Sequence, residues 1–89
     1  MSVTSLVVVE EAFAARGGGV VVHPRITVHD TSRAPFPVQL RHPDGSRRTA
    51  TATLDVAHIR GPNGAYALVR ILGVGVQDVP PGTEIWRAP

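Results

Sequence analysis

The sequence predicts an all-β domain of the barrel or sandwich kind, and three observations carry that expectation. Its 89 residues are 43% hydrophobic against 18% charged, with four aromatic rings in all, so the core must come from Val, Leu, Ile and Ala, and the branched members of that set suit pleated sheet. Residues Thr49, Thr51, Thr53 and Asp55 alternate with Ala50, Ala52, Leu54 and Val56. That period of two buries one face and wets the other, which a helix does not reproduce. Clusters of Gly, Pro, Asn and Asp also recur between short apolar runs, the spacing of a chain that turns often.

Taken in order, Val3 to Ala15 reads as a first strand, ended by Arg16-Gly17-Gly18-Gly19, where three glycines permit a tight reversal. Val20 to Val28 follows, with Val20, Val22, Ile26 and Val28 on one face and His23, Arg25, Thr27 and His29 on the other. Pro24 lacks the N–H that a ladder needs, so an edge position or a bulge is expected there. Asp30 to Pro37 reads as a loop. Val38 to Arg41 and Arg47 to His58 flank Pro43-Asp44-Gly45-Ser46, whose Asp-Gly pair is a hairpin signal. Gly61-Pro62-Asn63-Gly64 turns the chain into Ala65 to Val76, and Val79-Pro80-Pro81-Gly82 turns it again before Ile85 and Trp86. Roughly six strands with hardly a helix result.

The length fits one domain spanning 1–89. The absence of cysteine excludes disulfides, thiol nucleophiles and thiolate metal sites. Met1 to Val9 has no basic region and is interrupted by Glu10 and Glu11, so neither a targeting segment nor a membrane span is expected, and the expected location is cytoplasmic. A sequence pI near 10.5 accompanies a net charge of only +2, because every basic residue is Arg, which titrates very high. The charge permits a local basic patch without a strong polyanion-binding field.

The run Val9-Glu10-Glu11-Ala12-Phe13-Ala14-Ala15-Arg16-Gly17-Gly18-Gly19-Val20-Val21-Val22 resembles the V-E-D-x-F-x-I-x-G-R-G-T-V-V opening of domain 2 of elongation factor Tu and other translational GTPases. Arg25 and Ile26 match the G-R-V that follows it. Leu72-Gly73-Val74, with Asp78-Val79-Pro80-Pro81-Gly82-Thr83-Glu84-Ile85, is similar to the closing L-R-G-V…D-V-x-x-G-x-x-L. In the middle, Thr31 to Pro37 replaces the family's G-x-I-x-V-G-D. The resemblance implies a closed, six-stranded Greek-key barrel standing alone, without the GTPase domain, and contact with RNA, the ribosome or the translation machinery. In elongation factor Tu this domain holds aminoacyl-tRNA with a Glu-x-x-Arg stretch and a Gly-Asp-Asn turn. Here Ala57-His58-Ile59-Arg60 keeps only the Arg, and Gly64-Ala65-Tyr66 stands in the turn, so those determinants are not carried over intact.

No phosphate-binding loop motif is present, and the three glycines lead into a strand rather than a helix N-terminus, so GTP binding by this chain is not expected. His23 and His29 lie about 20 Å apart along an extended strand, too far to share a metal, and no cofactor is expected. Adjacent Glu10 and Glu11 point to opposite faces, and Ser32, His29 and Asp30 are neighbours in sequence without triad geometry, so the domain is expected to be non-catalytic. Arg25, Arg41, Arg47 and Arg48, with Arg60, are candidates for RNA phosphate contacts; the alternative is solvated arginines paired with Asp44 and Asp55. With no aromatic near them in sequence, a stacking platform for single strands is not expected. Tyr66 and Trp86 are expected in the core, or else as anchors for a partner. Two functions remain in view, an RNA- or ribosome-contacting module and a protein-interaction subunit or homo-oligomer.

Overall fold

The computed structural model describes residues 4–28, 34–58 and 65–88. Within them lie seven strands, β1 (Thr4–Val8), β2 (Glu11–Ala14), β3 (Val20–Val28), β4 (Phe36–Arg41), β5 (Arg47–His58), β6 (Ala65–Leu72) and β7 (Glu84–Arg87), and one 3-10 turn over Val76–Asp78. All pairings are antiparallel in one sheet of order β1-β7-β4-β5-β6-β3-β2, which curls into a half-barrel. The first strand expected from sequence is divided. Val9 turns inward and is buried; its N–H donates to Thr83 O and its carbonyl accepts from Gly82 N–H, both at 2.8 Å, while Glu10 N–H donates to His23 O. The two strands at the ends of the sheet are therefore consecutive in the chain.

Alternation sets the interior. Val20, Val22, Val38, Leu40, Ala52, Val69, Ile71 and Ile85 point inward and are fully buried, joined by Val7, Val9, Val79 and Phe36. Burying one such Val, Leu or Ile side chain contributes about 1.5–3 kcal/mol. A smaller cluster of Val28, Ala65 and Ala67, flanked by Ile26, Leu54 and Val56, lies where β5 and β6 run on past β4. Thr83 is the buried polar residue of this interior, and its hydroxyl donates to Pro80 O at 2.6 Å.

The turns expected at Arg16 to Gly19, Pro43 to Ser46 and Val79 to Gly82 form at those residues, whereas the one expected at Gly61 to Gly64 lies outside the described residues. Gly17, Gly18 and Gly19 all have positive φ, and a Cβ on Gly19 would lie 2.7 Å from the Ile71 carbonyl oxygen, so only glycine passes there. Gly45 has φ +89°, with His42 N–H donating to Ser46 O and Ser46 N–H to Asp44 Oδ1. At Pro24 the β3–β6 register shifts between Val22 and Ile26, a bulge of the kind a strand proline requires, and the His23–Pro24 bond is cis. His29 and Asp30, Thr31 to Arg33, and Ile59 to Gly64 with Arg60 lie outside the described residues.

Candidate functional site

Strand alternation sends a second set of side chains to the outer face: Trp86 and Glu84 on β7, Gln39 and Arg41 on β4, Arg47 and the threonines on β5, and Tyr66, Leu68 and Arg70 on β6. Arg41 is the cross-strand partner of both Arg47 and Glu84, and Gln39 of Trp86. The Arg41 guanidinium lies over the Trp86 ring, 4.2 Å from its centroid, and Arg41 Nε donates to Gln39 Oε1 at 2.8 Å. The indole N–H is held by Glu84 Oε1 at 2.9 Å. At the β3 bulge Arg25 lies over Tyr66 in the same manner, at 4.3 Å. These contacts correct two expectations. Tyr66 and Trp86 are half-buried on the outer face rather than in the core, and the arginines are interleaved with aromatics after all, across strands that sequence distance concealed.

Where the β3–β6 register shifts between Val22 and Ile26, a concavity of about 500 Å³ opens beside the Arg25–Tyr66 pair, lined also by His23, Pro24, Asp55, Ala67 and Leu68. Phe13, on β2, sets its ring edge against His23 at 5.3 Å. Arg70 closes the neighbouring surface. Its Nε and Nη2 reach both oxygens of Asp55 at 2.7–3.1 Å, and its Nη1 donates to the carbonyls of Arg16 and Gly18. The Asp55 carboxylate raises the Arg70 pKa further above its ordinary value. Sequence reasoning passed over Arg70, although it is the one charge within the apolar run from Ala65 to Val76.

The remaining candidate, Arg48, takes the opposite side of β5. It pairs with Asp78 at 3.4 Å, not with Asp44 or Asp55 as the sequence suggested. Asp78 ties this end of the sheet together: its other oxygen accepts from Gly75 N–H, and its carbonyl accepts from His42 Nε2 at 2.8 Å. Asp44 instead accepts from the Ser46 hydroxyl at 2.6 Å and the Ser46 N–H, which hold its carboxyl below the usual value. Arg41, Arg47 and Arg25 have no carboxylate within ion-pair distance among the described residues. Among those residues no group of three His, Asp or Glu side chains is arranged to hold a metal, and no helix is long and apolar enough to cross a membrane. No protein-family model matches the chain, and neither a curated protein nor a solved structure shows a significant match to it.

Proposed function

We propose that this chain is a non-catalytic binding module of the elongation factor Tu domain 2 kind, contacting RNA or the ribosome through the outer face of its sheet. The observation that carries the reading is a division among its arginines. Arg48 and Arg70 are ion-paired with Asp78 and Asp55, whereas Arg25, Arg41 and Arg47 lie on the outer side of the sheet with no carboxylate within ion-pair distance among the described residues, although Glu84 is the cross-strand neighbour of Arg41. Guanidiniums without an ion-pair partner suit phosphate oxygens, which accept from their planar donor fork. The reading includes a closed six-stranded barrel in which β1 and β2 act as one bent strand; the Val9 and Glu10 backbone bonds, which reach Thr83 on one side and His23 on the other, support it.

The protein-partner reading keeps one specific observation in its favour. Phe13 is 49% exposed on β2, an end strand of the sheet, and half-exposed aromatic rings are over-used at protein interfaces. Co-sedimentation of the purified protein with ribosomes and with bulk tRNA, at about 50 and about 200 mM salt, separates the two. Retention at low salt, lost at high salt and on replacing Arg25, Arg41 and Arg47 with Gln, supports the RNA module. Absence of sedimentation at low salt overturns it.

A further inference from the structure

We infer that the Arg41–Trp86 layer is a stacking seat for an unpaired nucleotide, with the base lying on the outer plane of the Arg41 guanidinium and its phosphate held by Arg47. The inference rests on the proposed RNA contact and specifies its ligand as single-stranded. Three features converge on it. The indole is held by its N–H bond to Glu84, and the guanidinium, held by Gln39, lies over it at 4.2 Å from the ring centroid, so the two layers are in contact on the outer face before any ligand arrives. Guanidinium planes and aromatic rings are the surfaces on which unstacked bases lie, and every base offers a π-face. Arg47, the cross-strand neighbour of Arg41, supplies a second cation beside the seat. Glu84, the carboxylate in the group, accepts from the indole N–H and stays anionic on the β7 side, so the phosphate is placed on the opposite, Arg47 side of Arg41.

The surroundings fit a flat ligand met face-on. β7 is paired on both sides, by β1 and β4, and β4 is paired on both sides, by β7 and β5, so no free edge exists here for an added peptide strand. Arg87, which lies over Phe36 at 4.4 Å, provides the contrast within the molecule: Phe36 is buried, so that guanidinium covers the core.

Trp86 is the sole tryptophan, so its fluorescence reports on this seat alone. Titration with a single-stranded RNA of about ten nucleotides at about 50 mM salt should change that fluorescence saturably, with a weaker response to duplex RNA of equal length. By anisotropy of a labelled strand, Trp86→Ala should lose roughly 5- to 150-fold in affinity, the range for one stacked base. Trp86→Phe should retain most of the affinity. Arg41→Lys, which keeps the charge and removes the plane, should behave like Trp86→Ala without touching a core residue. Strand binding by anisotropy with unchanged Trp86 fluorescence and an unaffected Arg41→Lys variant overturns the seat while leaving the RNA module standing. Equal affinity for duplex, or an equal fluorescence response to polyglutamate, also overturns the seat. Absence of any RNA binding overturns the seat and the module together.

Discussion

At the scale of single residues, the outer face is organised by which acid each arginine meets. Arg70 grips Asp55 through both oxygens and reaches two carbonyls of the β2–β3 turn, so Arg70→Met removes the link among β5, β6 and that turn. The pair is partly solvated, so the expected effect is a small lowering of the urea midpoint, and an unchanged midpoint contradicts the link. The Asp44 carboxyl offers a cleaner readout. Its pKa is lowered chiefly by the Ser46 hydroxyl and then by the Ser46 N–H. A depressed carboxyl adds stability above its ordinary pKa and loses it as pH falls through the lowered value. Ser46→Ala should therefore move the Asp44 carboxyl back up toward the ordinary range in an NMR titration, and an unmoved titration contradicts the assigned cause. The charged residues were legible in the sequence, but their partners were not. Asp44 and Asp55 were the acids expected to pair with the candidate arginines, yet Arg48 pairs with Asp78, thirty residues on in the 3-10 turn, because a strand directs neighbours such as Arg47 and Arg48 to opposite faces.

At the scale of elements, the turns and the central strands follow from local chemistry, and the interruptions do not. Val20 to Val28, Arg47 to His58 and the Asp44-Gly45 hairpin could be read directly, because alternation and left-handed glycine are local properties. The division of the first strand at Val9 and Glu10 was hidden, since it depends on the distant backbones of Thr83 and His23. The glycine turn yields a graded prediction. Gly18→Ala and Gly19→Ala both place a side chain at positive φ, but only at Gly19 does the new Cβ meet backbone, at 2.7 Å from Ile71 O. Gly19→Ala should therefore destabilise the fold more than Gly18→Ala, which should cost about 1 kcal/mol. Paired urea melts showing equal midpoints contradict this account of the turn. In the interior, Leu40→Ala should cost about 2–5 kcal/mol, because Leu40 is fully enclosed between Ile85 and the β5 strand.

At the scale of the whole molecule, a curled sheet with an interior that is aliphatic apart from Phe36 leaves Trp86, Tyr66 and the arginines that stack on them to the outside. Trp86 and Tyr66 were expected inside because large rings contribute most when buried, but their strand positions share parity with Gln39, Thr49 and Arg70, and parity prevails over size. That reversal brings Arg41 and Arg25 onto aromatic rings, a pairing that crosses strands and leaves no local trace in the sequence. The account's central claim is that Arg25, Arg41 and Arg47 form the phosphate-contacting face. The most direct test is the salt dependence of binding to a single-stranded RNA. Three phosphate contacts predict a slope of log affinity against log salt of about −2, falling by about 0.7 for each of the three replaced by Gln, while Arg48→Gln leaves it unchanged. A slope near zero, or one that falls for Arg48→Gln and not for the other three, contradicts the claim.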